Sequence, residues 1–233
     1  MYAIYEAVSQ SERGVQMKEA FQTVYKGGIG EIIMKKSRFI ATVQPAETEE
    51  AATEFIDELK KKYWDATHNC SAYIIGTDNP LMRCSDDGEP SKTAGRPMLD
   101  ILLAHKLTNI VVVVTRYFGG TLLGTGGLVK AYQSAAMEGL NHSSIITKEL
   151  GNKINLVTDY NMIGKLQYYI NQEQFTLLST SYTDQVALEV LVPPGRYASF
   201  TKKIAELTNG SAILNDLGQV YFTTLAGEVK LFE

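Results

Sequence analysis

The sequence predicts an α+β protein of two domains, and three observations carry that prediction. The second half of the chain runs strand–helix–strand–strand–helix–strand, the ferredoxin-like βαββαβ order. The first half alternates strand-forming runs with amphipathic helices around "IVVVV", an apolar run that suits a strand buried on both faces. Between the halves, the polar stretch "NHSSIITKELGNK" sets a boundary near residue 145. Residues 1–20 then read as a flexible extension, 21–145 as the first domain and 146–233 as the second.

The elements follow in order. Residues 1–20 are polar and irregular, and Met17 offers a second start, so the first sixteen residues are an extension or a start-site choice. "TVYKGGIGEIIMKKSRFIATVQP" reads as one or two strands around Gly27-Gly28, because Ile, Val, Phe and Tyr favour a pleated, half-buried surface. In "KKSRF" that strand places Lys35, Ser37 and Phe39 on one face, with Lys36 and Arg38 on the other. "TEEAATEFIDELKKKY" is an amphipathic helix with a stripe of Ala51, Phe55, Ile56 and Leu59. Its acids come early and Lys60, Lys61 and Lys62 come last, matching the helix dipole. "HNCSAYIIG" is a strand, "TDNPLMRCSDDGEPSKTAG" mostly loop, and "RPMLDILLAHKL" a helix with Pro97 near its first turn. "TNIVVVVTRYF" is the central strand, and an alanine-rich helix begins near Leu128. In the second half "KINLVTD", "YNMIGKLQYYINQEQ", "FTLLSTSYTDQVALEVLVPPG", "RYASFTKKIAELTNG" and "SAILNDLGQVYF" supply the βαββαβ order.

Composition excludes several classes. Hydrophobic residues at 45% and charged residues at 21% are ordinary for a soluble globular protein. No apolar run approaches the roughly 18 residues of a membrane span, and the N-terminus lacks the basic start and apolar core of a secretory signal. Cys70 and Cys84 form neither a metal-ligand spacing nor a disulfide framework. A cytoplasmic location without a membrane partner is expected. The net charge of −4 argues against a general nucleic-acid coat, since phosphate neutralisation supplies most of that affinity. A local basic patch remains compatible with it.

Four stretches could carry chemistry. "RYFGGTLLGTGGLVKAY" packs Gly119, Gly120, Gly124, Gly126 and Gly127 between a strand and a helix, an arrangement that presents free backbone N–H groups to an anion. It matches neither G-x-x-x-x-G-K-[ST] nor G-x-G-x-x-G, and it reads equally as glycines that permit left-handed angles and close helix–strand approach. "CSDDGEPSKTAGRPM" groups Asp86, Asp87 and Glu89, three carboxylates that need a cation, a basic partner or open water. They suit magnesium or calcium, or a turn that caps the next helix through Ser91 or Thr93. His68 stands two residues from Cys70, a Cys–His pair on paper and a hydrogen-bonded structural histidine otherwise. "KKSRF" interleaves basic residues with an aromatic, as a phosphate or RNA contact does and as a solvated strand end also does.

"KKSRF", "SDDGEPSKTAGRPML" and "RYFGGTLLGTGGLVKAY", in this order and spacing, resemble the signature blocks of the IMPACT family, in its YigZ-like bacterial branch. With the ferredoxin-like tail the resemblance covers about residues 22–230. It implies a first domain like domain 2 of ribosomal protein S5, and a second like the last domain of elongation factor G. It also implies kinship with eukaryotic regulators of translation under amino-acid stress, which carry a further N-terminal domain for their partner. Cys84 stands where the family commonly has Phe, and Lys92 where it commonly has Gly, which brings a positive charge beside Asp86, Asp87 and Glu89.

The lead reading is therefore a non-enzymatic regulator associated with translation that binds RNA, the ribosome or a translation factor. Lys36, Arg38, Arg96, Arg116 and Lys130 would contact phosphate, with Tyr117 and Phe118 as stacking residues and the glycine loop beside them. It expects no cofactor. The runner-up is an enzyme or sensor for a phosphorylated or nucleotide-like small molecule. There Gly124–Gly127 would cradle phosphate, Asp86, Asp87 and Glu89 would hold magnesium, and His68, Asp87 or Glu89 would act as acid or base. A third reading is a protein-interaction module. What separates them is whether the acidic turn, His68 and the glycine loop meet in one cleft.

Overall fold

The computed structural model describes residues 17–232, so the extension and start-site choice expected at residues 1–16 lie outside the described residues. Two antiparallel sheets organise the chain. The segment read as one or two strands forms three: β1 (Ala20–Lys26), β2 (Ile29–Met34) and β3 (Ser37–Pro45). Lys35 and Lys36 take φ of 47° and 66°, and Met34 pairs with Ser37, which is a two-residue hairpin turn. The two lysines thus sit at a turn tip and not on opposite strand faces, whereas Ser37 and Phe39 do share the buried face.

Next come α1 (Glu49–Lys62), β4 (His68–Ile75), β5 (Leu81–Ser85), α2 (Gly95–Ala104), β6 (Ile110–Tyr117) and α3 (Thr125–Asn141). Strand β5 arises inside the stretch read mostly as loop; it is an edge strand with four of its residues exposed, so no apolar alternation announced it. The first sheet has the order β2-β3-β6-β4-β5, with the valine strand β6 in the middle. Its valines serve two layers. Val112 and Val114 pack with Met98 and Leu102 of α2 and Tyr132 and Ala135 of α3, while Val111 and Val113 pack with Ile56 and Leu59 of α1. All four are fully buried.

The second half forms β7 (Ser144–Thr158), α4 (Ile163–Gln172), β8 (Thr176–Tyr182), β9 (Val186–Val192), α5 (Tyr197–Thr208), β10 (Ile213–Leu225) and β11 (Glu228–Phe232). The strand order β10-β7-β9-β8 is that of a βαββαβ unit, with β11 added beyond β10. Leu166, Ile170, Phe200 and Ile204 of the two helices close the core against Ile154, Leu156, Leu188 and Val190. Residue 145 falls at the start of β7, which runs unbroken from one half of the chain to the other. Its first residues pair with β1, Ala20 opposite Glu149 through Val24 opposite Ile145, so the N-terminal strand belongs to the second sheet. Among the described residues no helix is long and apolar enough to cross a membrane.

Candidate functional site

One end of the first sheet gathers the residues singled out in the sequence. His68 opens β4 and lies in register with Arg116 of β6. On the other side of β6, Phe39 pairs with Arg116 and Arg38 with Tyr117. The chain leaving β5 folds back over this end, and three carboxylates hold it there in three different ways. Asp86 accepts the backbone N–H groups of Ala94 at 2.9 Å, Gly95 at 2.8 Å and Lys92 at 2.7 Å. It caps α2 in the role considered for Ser91 or Thr93, and it meets the backbone of Lys92, not its ammonium. Asp87 accepts the Asn69 N–H at 2.6 Å and pairs with Lys60 at 3.0 Å.

Glu89 turns inward. Its carboxylate accepts a hydrogen bond from Arg116 Nη1 at 2.5 Å and another from the Tyr132 hydroxyl at 2.8 Å. Its other oxygen lies 3.9 Å from His68 Nε2. Because His68 Nδ1 lies 2.8 Å from the Asp87 carbonyl, which can only accept, Nδ1 is the donor in that contact. Gly88 fits against this imidazole: at φ +89°, a Cβ there would lie 3.4 Å from the ring. Cys70 is buried behind, with Sγ 3.0 Å from the Asp86 carbonyl oxygen and 3.3 Å from the Tyr132 hydroxyl. Burial pushes the Cys70 thiol and the Tyr132 phenol far above their usual ranges. Both stay protonated, which leaves no thiolate for a Cys–His pair.

Arg116 is held between two aromatic rings, its guanidinium carbon 5.4 Å from the Phe39 centroid and 5.6 Å from that of Phe118. Its side chain is 7% exposed, and Nε has no hydrogen-bond partner among the described residues. The glycine loop then closes the space. A cleft of about 440 Å³ is lined by His68, Glu89, Arg116, Phe118, Gly124 and Leu128, among others. The acidic turn, the histidine and the glycine loop therefore do meet.

The five glycines differ in cause. A Cβ at Gly119 would lie 2.0 Å from the Lys36 carbonyl carbon, so this loop packs against the hairpin turn with no room for a side chain. Gly120 and Gly124 need positive φ, 81° and 74°. Gly127 approaches Leu123, whose Cβ would be 3.0 Å away. Gly126, in the first turn of α3, needs neither: its φ is ordinary and nothing lies within 4 Å of an added Cβ.

Other expected residues lie outside the cleft. Arg38 is bound by Glu31 through two hydrogen bonds, 2.7 and 2.8 Å, while sitting 6.0 Å from the Tyr117 ring. The Tyr117 hydroxyl reaches Asp65 at 2.9 Å. Arg96 pairs with Asp100 on its own helix at 2.8 Å, and neither Arg96 nor Lys130 lines the cleft. The three carboxylates do not converge, and among the described residues no group of three His, Cys, Asp or Glu is placed to hold a metal ion. The sequence reading passed over Tyr132 and Leu122. Tyr132 follows Leu128 by one helical turn, the spacing of a shared face, which was the signal available for it.

A family model described as the Impact N-terminal domain matches residues 35–140, and one described as a domain of unknown function (DUF1949) matches residues 156–211. IMPACT family member YvyE of Bacillus subtilis (strain 168) is 39% identical over 214 residues, 92% of this chain and 99% of that protein. The chain belongs to the IMPACT family. IMPACT family member YigZ of Escherichia coli (strain K12) is 36% identical, over 76% of this chain and 88% of that protein. A crystal structure described as that of a hypothetical protein is 33% identical, with a TM-score of 0.56, covering 85% of this chain and 97% of that one. Every residue that lines the cleft falls inside the Impact N-terminal match.

Proposed function

We propose that this IMPACT-family chain is a cytoplasmic, translation-associated regulator that acts by binding ribosomal RNA and not by turning over a substrate. The family resemblance supports this reading, through the kinship with eukaryotic regulators of translation that it implies. The observation that carries the reading is the corner of the first sheet beside the cleft. There the Lys35-Lys36 turn packs on Gly119, Arg38 lies across from Tyr117, and Phe118 is 47% exposed. Cations next to exposed aromatic faces suit a phosphate backbone with unstacked bases. Glu31 takes up Arg38, and among the described residues Lys35 and Lys36 are the cations of this corner left to supply charge. We also assign the first domain to the type of ribosomal protein S5 domain 2, and the second to that of the last domain of elongation factor G. The βαββαβ strand order supports the second assignment, and the pairing of such domains in a translocating GTPase is an analogy of fold.

Cosedimentation with ribosomes across a salt series tests this. Binding should weaken as salt rises. Lys35→Asn with Lys36→Gly removes both charges yet gives the turn its preferred residues; it should leave the fold intact and lower the salt slope by roughly 1.5. Arg96→Glu should bind as the wild type does. Folded protein that fails to sediment with ribosomes at low salt overturns the reading; retention by a translation factor alone would make it a protein-interaction module.

A further inference from the structure

We propose that the cleft beside His68 is a small-molecule site for an amphipathic acid, one carboxylate or phosphate group carried on a short apolar body. The inference stands on the cleft alone and holds whether or not the chain binds ribosomes.

Arg116 marks the anionic end. Its guanidinium has five N–H donors, Nη1 is taken by Glu89, and Nε is buried without an acceptor among the described residues. Buried donors are nearly always paired, and this one belongs to a side chain in the cleft wall. The first turn of α3 faces the same space through Gly124 and Thr125. Gly124 at the helix start offers no capping side chain. The first intrahelical bond runs from Leu128 N to Gly124 O at 2.9 Å, so the N–H groups of Thr125, Gly126 and Gly127 come before it. Such groups, with the helix dipole behind them, favour an anion. Of this first turn, Thr125 lines the cleft, whereas Gly126 does not, and neither its φ nor its packing requires glycine.

Charge and surface narrow the class. Glu89 offsets Arg116 and Asp87 offsets Lys60, so the partial positive charge of the helix start is what remains. That balance suits a single anionic group and not a polyphosphate. The remaining walls are apolar: Pro90, Phe118, Leu122, Leu123 and Leu128. Leu122, 82% exposed, stands at the opening. The volume of about 440 Å³ lies in the range of small-molecule sites, roughly 300–1,000 Å³.

Titration calorimetry on the full chain tests the site with phenyl phosphate, phenylacetate, benzyl alcohol and inorganic phosphate. At least one of the two acids should bind saturably, tenfold or more tighter than benzyl alcohol or inorganic phosphate. The tighter acid identifies the anionic group as phosphate or carboxylate. Thr125→Glu sets a carboxylate in the cleft wall at the helix start; an acid there suits the helix dipole, so it should melt no lower than the wild type and weaken the acid by tenfold or more. No binding of either acid at millimolar concentration overturns the proposal. So does benzyl alcohol or inorganic phosphate binding equally well, or a Thr125→Glu protein with unchanged affinity.

Discussion

Arg116 and Glu89, 27 residues apart in the chain, meet inside the first domain with Nη1 and Oε1 at 2.5 Å, and both side chains are almost wholly buried. Removing one partner strands the other. Glu89→Ala leaves an uncompensated guanidinium between two aromatic rings and should cost about 3–5 kcal/mol. Glu89→Gln keeps an acceptor for Arg116 and Tyr132 and should cost less. Urea unfolding of the two variants checks the order; a Glu89→Ala protein as stable as the wild type would contradict the pairing.

Gly119 and Gly126 predict opposite signs from one substitution. At Gly119 a methyl group would overlap the Lys36 backbone at 2.0–2.2 Å, and backbone cannot swing aside as a side chain can. Gly119→Ala should lose more than about 3 kcal/mol. At Gly126 the space is open, so Gly126→Ala should gain roughly 0.5–1 kcal/mol of helix stability. Thermal melts of the two proteins read the contrast directly.

Asp86 is the staple of the acidic turn. Its three N–H acceptances fix Lys92, Ala94 and Gly95 to the end of β5. Asp86→Ala abolishes the cap of α2 and should cost roughly 2 kcal/mol. Asp86→Asn keeps one acceptor oxygen and should fall between. Hydrogen exchange at Ala94 and Gly95 should rise in the same order; unchanged exchange in Asp86→Ala would remove the cap.

What was legible in the sequence was local. Four valines in a row announced a strand buried on both faces, and β6 is one, because alternate side chains reach different helical layers. The βαββαβ order was readable from the spacing of apolar runs. Two features escaped because tertiary pairing makes them. Lys35-Lys36 carries none of the usual turn residues, yet it turns, because the register of β2 on β3 demands it. Strand β5 has no apolar period and exists by pairing with β4. For the site, the residue types were visible but their partners were not. Asp86, Asp87 and Glu89 look like one cluster in the chain, and only the fold sends them to a helix start, a strand N–H and a buried arginine.

Tyr73 gives the alkaline side of the stability profile. Its hydroxyl donates to Glu49 Oε1 at 2.6 Å, and burial, with the carboxylate beside it, pushes its pKa up to about 12. An unfolded tyrosine ionises near 10. The folded state therefore holds its proton more tightly, and this contribution is complete below pH ~10 and lost as pH rises toward 12. In Tyr73→Phe that part of the decline should disappear. Unfolding midpoints measured from pH 9 to pH ~12 should converge for the two proteins; parallel curves would refute the assignment.

Lys148 tests how the two sheets are joined. It lies on β7, where β1 also pairs, and reaches Glu47 just before α1 at 2.8 Å. Its ammonium also sits 4.2 Å from the Phe232 ring centroid and 5.9 Å from that of Phe21. The lysine side chain is 10% exposed but the glutamate is 65% exposed, so solvent screens the ion pair and its worth is below about 1 kcal/mol. The buried stem and the cation over the ring, by contrast, are lost whenever the side chain is cut back. Glu47→Gln should then be nearly silent, while Lys148→Ala should cost roughly 2 kcal/mol. Lys148→Met, which keeps the volume and drops the charge, should recover most of that loss. If Glu47→Gln proved as damaging as Lys148→Ala, the ion pair and not the aromatic packing would be what fastens β7 to the first domain.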